Sequence, residues 1–590
     1  MHLERLEIEN FRRIKYADIR FDGATFLIGP NNTGKSSVIA AVEALLSLER
    51  AGLTISDIRQ REDGTREEKA VLTGYISGIS QEVAASRGFK GRVVDGRFVY
   101  RKTLLLAQAK PLIETREYPF KLKDSFSKTK TVGDLIGSGI DRTVIKETFE
   151  VEDDAAKLPK GWERMLPEVL DFDLTAEPVW VQNPGGIPQN VLSRLPRLLH
   201  IPAITDATEI ESGEKTHILG ECLSLLFEDL LKGNPLALEI QKGLDELEKQ
   251  MDPADENTLV SGLVHEVFPE CGIRVEPSLQ NLLQVLKPKY EVRLCSNVET
   301  EVARQGTGLL RTCVFAMLRY HAKLKQTKDI ETRSAIVAFE EPELYLHPSA
   351  ANLLRDTIYE LGRSDQIVCS THSPWMIDLT RSTQSLIRMR IDSDGSAAAV
   401  NYGVSAELES LQADDKDRVK MLQLFDDELS RVFFADHVVV VEGDSEVIAL
   451  KETLRLLPPE TQRRVQACFQ VSKARGKPSI ISLVRYLKAL DVNPRVMHDS
   501  DTGVEGAEVF NAPIAAVCDP SFLVVLNRNL EEVLDYSPPS KDKPFHVYER
   551  TSAWRGTSDI PQAWKVAVAR LFDLEWPSDS GAKPGQVSTE

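Results

Sequence analysis

The most constraining feature of the sequence is a glycine-rich loop that runs from Gly29 to Ser36. It reads GPNNTGKS and fits the pattern GxxxxGK(S/T) in full. The apolar run ATFLI precedes the loop and SVIAAVEALL follows it, so a strand, a loop and a helix come in the order that this motif requires. The chain must therefore contain an α/β core that can bind a nucleoside triphosphate.

The physical chemistry of the loop explains its residue types. Glycines let successive backbone N–H groups face the phosphates, and the positive end of the helix dipole adds to the attraction. Lys35 places a charge at the β and γ oxygens, and Ser36 offers a hydroxyl to Mg²⁺. The residues predicted to bind the nucleotide are Gly29, Asn31, Asn32, Thr33, Gly34, Lys35, Ser36 and Ser37.

Two further apolar strands end in residues suited to triphosphate hydrolysis. Ala335–Phe339 is followed by Glu340, predicted to bind Mg²⁺, and by Glu341, predicted to polarise the attacking water. The apolar run 366–369 leads into His372, which we interpret as a sensor of the γ-phosphate. These three residues complete the predicted ATP site.

Carboxylates at two later strand ends predict a separate metal site. The run VVVV ends at Glu442, with Glu446 four residues on, and the run RVMH ends at Asp499 and Asp501. Parallel strands bring their carboxyl ends to one edge of a sheet, and alternate residues of an extended chain point the same way. Oxygen ligands of this kind suit Mg²⁺ or Mn²⁺.

The N-terminal motifs resemble the ABC-type ATPases of the RecF, Rad50 and SMC class. The resemblance is carried by LEIENFRRI, the GKS loop, EEPELYLHP and STHSP. It implies that two ATPase heads close over ATP, each offering a signature loop to the other. The matching positions are Gly306, Thr307 and Gly308, although Gln305 stands where a serine is usual. Gln60 is a weak candidate for the Q-loop.

The C-terminal pattern, a strand-end Glu-Gly followed by a strand-end Asp-x-Asp, resembles the Toprim domain. An ABC ATPase followed by Toprim resembles the OLD (overcoming lysogenization defect) family of nucleases over nearly the whole chain. The resemblance implies a two-metal cut, with one later acid (Glu531 or Glu532) and a lysine (Lys543, or Lys583 in reserve). It also implies a bacterial or phage origin and a role in antiviral defence or DNA processing.

The combined prediction is an ATP-hydrolysing, divalent-metal-dependent DNA endonuclease. Its predicted catalytic residues are Glu442, Glu446, Asp499, Asp501, Lys543 and Glu341. Its predicted metal ligands are Glu442, Glu446, Asp499, Asp501 and Glu531 at the nuclease site, and Ser36 and Glu340 at the nucleotide. The expected cofactors are ATP and Mg²⁺ or Mn²⁺, and the expected partners are DNA, a second copy of the chain and, as in Gabija-like systems, a superfamily-1 helicase.

The predicted fold class is α/β, with an ABC-type ATPase that carries a helical insertion and is followed by a Rossmann-like Toprim domain. We place the N-terminal part of the ATPase at 1–205, a helical insertion with a possible role in dimerisation at 206–258, and the C-terminal part at 259–430. The Toprim domain is placed at 431–590. At 590 residues the chain is too long for one hydrophobic core.

Composition limits the compartment and bears on the partner. Seven scattered cysteines form no CxxC pair, no run approaches the roughly 20 apolar residues of a membrane span, and no signal peptide is seen, so we expect a cytoplasmic protein. The net charge of −18 speaks against nucleic acid at first sight. Yet the stretch 453–488 carries eight Lys or Arg against one acid and is a candidate to track a phosphate backbone.

Two alternatives stay open. The chain could be a RecF-like, ATP-switched DNA clamp or repair mediator whose Toprim domain does not cut. A topoisomerase would need a nucleophilic tyrosine, and Tyr486, Tyr536 and Tyr548 lie in the C-terminal part, none in a convincing context. The retained acids favour the nuclease, because clustered negative charge beside DNA brings nothing to a mere binding module.

Overall fold

The structure is a computed structural model, and it describes most of residues 1–203 and 334–576 with short pieces between them. The helical insertion predicted at 206–258 lies outside the described residues apart from isolated positions, and so do Gly306, Thr307, Gly308 and Lys583. Internal contacts divide the chain into two units. The first contains Met1–Leu198, Ile336–Glu343 and Pro348–Glu590, and the second contains Leu199–Ala335 and Leu344–His347.

Strands of the N-terminal part and of the segment after residue 334 come first in chain order. They are β1 (His2–Phe11), β2 (Ile14–Arg20), β3 (Ala24–Ile28), β4 (Lys69–Ser77), β5 (Val93–Val94), β6 (Arg97–Leu105), β7 (Leu112–Glu117), β8 (Phe120–Leu122), β9 (Leu170–Phe172), β10 (Val179–Gln182), β11 (Arg197–Ile201), β12 (Arg293–Cys295), β13 (Glu299–Glu301), β14 (Ala335–Glu340), β15 (Gln366–Ser370), β16 (Gln384–Ile391) and β17 (Ala397–Tyr402).

Helices of the same segments are mostly short. They are α1 (Lys35–Leu46), α2 (Gln81–Ala85), α3 (Val132–Gly137), α4 (Arg142–Phe149), α5 (Gln189–Leu192), α6 (Pro348–Leu361), α7 (Val404–Ser410) and α8 (Ala413–Phe425). In the part of the chain that the structure describes, no helix has the length and apolar character needed to cross a bilayer.

One large mixed sheet forms the ATPase core, in the order β10, β7, β6, β4, β1, β2, β17, β16, β3, β15 and β14. Burial follows the sequence pattern of β1, where Leu3, Leu6 and Ile8 are all fully buried. A register shift between Leu3 and Arg5 against β4 inserts the extra residue that keeps them on one face. Strands β14, β15, β3 and β16 run parallel, so their carboxyl ends share one edge.

A second sheet follows in the C-terminal part and is wholly parallel. Its strands are β18 (His437–Val441), β19 (Phe469–Lys473), β20 (Arg495–Asp499) and β21 (Leu523–Leu526), arranged in the order β19, β18, β20 and β21. Its helices are α9 (Asp444–Arg455), α10 (Pro459–Cys468), α11 (Lys477–Ala489), α12 (Asn511–Val517), α13 (Leu530–Val533), α14 (Lys543–Ser552) and α15 (Gln562–Phe572). A separate apolar core, which includes Trp564 and Phe572, packs against this sheet.

Helix α8 connects the two sheets within the first unit by packing against α11. Asp415 on α8 accepts hydrogen bonds from Ser482 Oγ at 2.7 Å and from Arg485 Nη1 at 2.6 Å. Near the start of the second sheet, Arg388 of β16 forms an ion pair of 2.6 Å with Asp436. The C-terminal sheet is therefore held to the ATPase core by polar contacts as well as by apolar packing.

Candidate active site

The glycine-rich loop lies at the carboxyl end of β3 and leads directly into α1, as the sequence predicts. Gly29 and Gly34 have φ angles of 134° and 102°, which favour glycine. A Cβ atom on Gly29 would lie 2.3 Å from the carbonyl oxygen of Met389, so a side chain at this position is excluded on space as well. The sharp turn therefore depends on these glycines.

Lys35 is held inside the loop by the loop itself. Its Nζ donates hydrogen bonds to the carbonyl oxygens of Gly29 at 2.9 Å and Pro30 at 2.8 Å. Burial lowers the pKa of Lys35 to about 8, and the negative charge of the neighbouring Glu341 acts in the opposite direction. Asn31, Asn32 and Ser36 are exposed, whereas Thr33 and Gly34 are buried. The lysine thus lies where a phosphate can replace the carbonyl oxygens as its partner.

The ends of β14 and β15 bring the other predicted residues to the same edge. The backbone N–H of Glu341 donates to Ser370 O at 2.9 Å, and His372 Nε2 lies 3.5 Å from Glu341 Oε1. Burial lowers the pKa of His372, and the charge of Lys35 lowers it further. Lys35, Glu341 and His372 are therefore neighbours, and Glu340 ends the strand just before them.

Glu343 is a residue of this site that the sequence analysis missed. It accepts hydrogen bonds from Thr371 Oγ1 at 2.6 Å and from the backbone N–H of His372 at 3.2 Å. Burial raises its pKa, and in the described part of the chain its Oε2 atom is buried without a hydrogen-bond partner. Only its place in the EEPE run could have drawn attention to it, since the bonded partner lies 28 residues away.

A polar pocket of about 380 Å³ lies on the turn between β1 and β2. Arg13 in its wall donates from Nη1 to Asn32 O at 3.0 Å, which places the pocket beside the glycine-rich loop. Gln60 lines the pocket and donates to Gly64 O at 3.0 Å. The arginines that line it are Arg12, Arg13, Arg59, Arg61 and Arg66.

Three of the predicted nuclease acids lie at the carboxyl ends of three neighbouring strands of the second sheet. Glu442 follows β18, Asp499 ends β20, and Glu531 lies on α13 just after β21. Strands β18, β20 and β21 pair in parallel in that order. Asp499 and Glu531 are 9% and 2% exposed. The topology therefore brings these acids from distant parts of the chain to one edge.

Burial and, to a lesser extent, the neighbouring acids raise the pKa of these carboxyl groups. Burial raises the pKa of Asp499 to about 8, with further contributions from Glu446, Glu442 and Asp501. Burial also raises the pKa of Glu442 to about 7, and the charges of Glu446 and Asp501 add to the effect. A buried group of carboxylates is stable only when protons or cations neutralise it.

The unsatisfied oxygens of these acids fit a divalent cation. Within the described residues, Glu442 Oε2, Asp499 Oδ1 and Glu531 Oε2 are buried without a hydrogen-bond partner. Hard oxygen ligands are what Mg²⁺ and Mn²⁺ prefer. Among the described residues, no three or more His, Cys, Asp or Glu side chains are placed so that they could hold a metal ion without moving. The acids are therefore assembled at one edge, but their side chains are not set as a closed cage.

The remaining predicted residues border this acid group. Glu446 is 4% exposed, and its Oε2 accepts a hydrogen bond from the backbone N–H of Gly443 at 2.9 Å. Lys543 begins α14, and its Nζ lies 3.5 Å from Glu531 Oε1. Asp501 contacts Lys477, with 2.6 Å between Oδ2 and Nζ. The sequence analysis did not assign Lys477 to the acid site, just as it did not assign Glu343 to the ATP site.

Two basic side chains form ion pairs with acids close in sequence to the acid group. Lys473 pairs with Asp444 at 2.9 Å, and Arg528 pairs with Glu532 at 3.1 Å. Lys473 comes from the basic stretch 453–488, so part of that stretch does lie beside the acid site. Lys477 belongs to the same stretch, but its side chain is buried and forms an ion pair with Asp501.

Comparisons with known proteins agree with the two predicted domains. Residues 1–377 match the family described as AAA ATPase domain, and residues 433–501 match the TOPRIM domain of overcoming lysogenization defect protein-like sequences. The Old nuclease of Escherichia phage P2 is 24% identical over 517 residues, covering 85% of this chain and 77% of that protein. Endonuclease GajA of Bacillus cereus is 21% identical over 472 residues, covering 78% and 69%.

A similarity to the DNA replication and repair protein RecF of Proteus mirabilis is short. It reaches 38% identity, but over 90 residues that make up 15% of this chain and 23% of RecF. The fold and the two sites thus define an ATPase domain joined to a TOPRIM domain, as predicted. The chain belongs to the AAA ATPase domain family, and its ATPase-plus-TOPRIM architecture and its Old nuclease and GajA relatives support an ATPase-linked nuclease of the OLD type. Use of a nucleotide and of a divalent metal follows from these two domains.

Proposed function

We propose that this protein is an ATP-binding and ATP-hydrolysing DNA endonuclease that cuts with Mg²⁺ or Mn²⁺ at the edge of its second sheet. The observation that supports it most is a set of three buried carboxylate oxygens, on Glu442, Asp499 and Glu531, that have no hydrogen-bond partner among the described residues. Each follows a different parallel strand, so the fold itself concentrates the negative charge. Such charge has no role in holding DNA unless cations bind first.

Glu442, Asp499 and Glu531 would hold the metal, with Glu446 and Asp501 beside them. A divalent cation bound there supplies charge for the scissile phosphate and lowers the pKa of a water molecule, and two cations would serve both sides of the bond. The protein side chains keep the acids in place, exclude bulk water by burying them, and supply the counter-charge that lets a polyanion approach.

Lys543 and Arg528 are suited to contact the DNA backbone. Their side chains are 55% and 62% exposed; Lys543 lies beside the buried Glu531, and Arg528 is paired with Glu532 at the rim of the site. A phosphate can take the place of Glu531 beside Lys543 once Glu531 has a cation to bind. This local positive rim answers the objection raised by the net charge of −18.

At the ATP site, Lys35 would exchange its carbonyl partners for phosphate oxygens. Glu341 is placed to orient water, and His372, held neutral by the lowering of its pKa, to contact the γ-phosphate. Ser36 and Glu340 would complete the Mg²⁺ shell there. The arginine-lined pocket beside the loop suits an anionic nucleotide.

A plasmid-cutting assay tests the proposal. Wild type should convert supercoiled plasmid to open or linear forms with Mg²⁺ or Mn²⁺, and Glu442→Gln and Asp499→Asn should lose at least about a hundredfold of this activity. Both variants should keep ATP hydrolysis, which reports that the chain is folded. Glu460→Gln, which changes an exposed acid of α10, is the matched control and should cut normally.

Cutting that survives in both acid variants would place the nuclease site elsewhere. A wild type that binds DNA but cuts with neither metal would instead support the RecF-like clamp, which the short RecF similarity does not favour. Strand passage is disfavoured for Tyr486, since its side chain is buried and donates to Val404 O. A homodimer, a superfamily-1 helicase partner, an antiviral role and a cytoplasmic location stay predictions.

A further inference from the structure

Lys477 is a buried lysine at the edge of the acid site. It begins α11, directly after Gly476, whose φ of 116° turns the chain out of β19. Its side chain is only 3% exposed. An ammonium group has three donors and loses much free energy on burial unless all of them are used. The position therefore has to offer a complete set of acceptors.

The acceptors come from the segment that carries the Asp-x-Asp motif. Lys477 Nζ lies 2.6 Å from Asp501 Oδ2, 3.0 Å from Asn511 Oδ1 and 3.5 Å from Ala507 O. Asn511 in turn donates from Nδ2 to Ser500 O at 2.6 Å. Lys477 thus contacts the side chain of Asp501, and Asn511 contacts the backbone of the preceding residue, Ser500.

Asp501 has little freedom in this arrangement. Its φ of 47° places it in the left-handed region, and its backbone N–H donates to Arg528 O at 2.7 Å. The ammonium group of Lys477 holds the carboxylate of Asp501 in place. Consequently Lys477 carries a fixed positive charge within the acid group while it keeps one acid of the pair in a defined place.

We propose that Lys477 is a positioning residue of the nuclease metal centre, which holds Asp501 and supplies the resident counter-charge that sets how tightly the neighbouring acids bind a divalent cation. This inference rests on the proposed function of the acid site. It differs from the assignment of Lys543, whose exposed ammonium is suited to meet the substrate.

Two variants of the ion pair should change metal binding in opposite directions. Lys477→Met removes a positive charge beside the cation and releases Asp501, so the affinity for Mn²⁺ should rise about tenfold or more. Asp501→Asn leaves the ammonium without its carboxylate partner, so the affinity should fall about tenfold or more. A residue that only supports the fold would weaken binding in both cases.

The measurement is a titration of the full chain with Mn²⁺ in the absence of nucleotide, with free Mn²⁺ followed by its electron paramagnetic resonance signal. Lys477→Arg keeps the charge and should return the affinity to within about threefold of wild type. Lys473→Met removes a neighbouring lysine whose partner Asp444 is exposed, and it should change the affinity by less than about twofold.

Cleavage supplies a second reading. Lys477→Met should cut plasmid more slowly than wild type at saturating Mn²⁺ despite its tighter binding, because Asp501 is no longer held in place. ATP hydrolysis reports whether each variant is folded. If Lys477→Met does not fold, Lys477→Gln removes the same charge in its place, and an affinity of Lys477→Gln at or below that of wild type overturns the inference.

The inference is overturned if Lys477→Met binds Mn²⁺ as wild type does or more weakly, or if Lys477→Arg behaves like a folded Lys477→Met. These outcomes leave the nuclease proposal intact. The nuclease proposal fails separately, when wild type itself neither binds Mn²⁺ at the acid site nor cuts.

Discussion

Asp499 is a carboxyl group that lies buried among other acids. Its pKa of about 8 lies far above the ordinary 3.8, so the folded protein holds a proton that the unfolded chain releases. Stability must then fall as the pH rises from about 4 to about 8, by at most about 1.4 kcal/mol per unit for one such group. Bound metal should remove this loss, because it neutralises the carboxylate in place of the proton.

We therefore expect Asp499→Asn to gain thermal stability relative to wild type as the pH rises. The melting temperatures of both proteins, measured in EDTA at about pH 5.5 and about pH 8, should differ more at the higher pH. Excess Mg²⁺ should narrow the difference by stabilising wild type alone. A difference that does not change with pH would show that Asp499 is not buried among other acids.

Lys35→Ala is expected to abolish nucleotide binding. The ammonium group is already oriented by Gly29 O and Pro30 O toward the space that phosphates would fill, and no other residue of the loop carries a charge. Binding of a fluorescent ATP analogue should fall below detection. ATP hydrolysis that persists in this variant would contradict the assignment of the loop.

Glu343→Ala is expected to slow ATP hydrolysis with little effect on nucleotide affinity. The side chain holds Thr371 and the backbone of His372, so its loss should displace the histidine without disturbing the glycine-rich loop. We expect kcat to fall about tenfold while KM changes by less than about threefold. Glu360→Gln, on α6, is the matched control, and equal losses in the two variants would contradict the role of Glu343.

For single residues, the sequence predicted the site residues that directly follow a strand. It missed those whose role depends on a partner that is distant in the chain. Glu442 and Asp499 were found because an apolar run that stops at an acid marks a strand end. Lys477 was read as part of a basic stretch, since nothing in the sequence shows that Asp501 draws it inward. Glu343 was missed for the same reason, because Thr371 reaches it only through the pairing of β14 with β15.

Helix α11 contacts both the ATPase part and the C-terminal part of the first unit. Its first residue is Lys477 at the acid site, and its later residues Ser482 and Arg485 bind Asp415 of α8. One helix of 13 residues carries both contacts, so a shift of α8 would displace Lys477 at the proposed metal site. This offers a physical route between the ATPase core and the nuclease site.

Asp415→Ala is expected to lower stability by about 1–2 kcal/mol, because it leaves the buried Ser482 hydroxyl with the longer contact of 3.5 Å to Pro478 O and removes the ion pair with the half-exposed Arg485. Thermal unfolding should show a lower first transition. Asp417→Ala changes an exposed acid of the same helix and is the matched control. Equal stability of the two variants would show that α8 and α11 are held by apolar packing alone.

Elements with a strong local pattern were predicted well. The strand–loop–helix of the P-loop is β3 and α1, and the strand expected at Ala335–Phe339 is β14 with one more residue. Strands β19 and β21 were not expected. The first, FQVSK, lies in the basic stretch and is only partly buried, so it lacks the apolar run that marks β18. The second, LVVL, has four residues and no acid at its tip.

For the whole molecule, the order of the strands lay beyond the sequence. Strand β3 pairs with β15 and β16, more than 330 residues later in the chain, and no local signal encodes such a contact. The family resemblance supplied what the local patterns could not, namely that an ATPase and a Toprim domain belong together. The predicted domain boundaries stay predictions.

We propose that acids from three strand ends share a divalent cation. Crystals of the protein grown with Mn²⁺ and measured near the manganese absorption edge test it most directly. We expect an anomalous peak within about 2.0–2.4 Å of carboxylate oxygens of Glu442 and Asp499, and none there in Asp499→Asn. Wild-type protein that cuts DNA with Mn²⁺ but shows no anomalous peak at these acids in its crystals would show that the metal binds elsewhere.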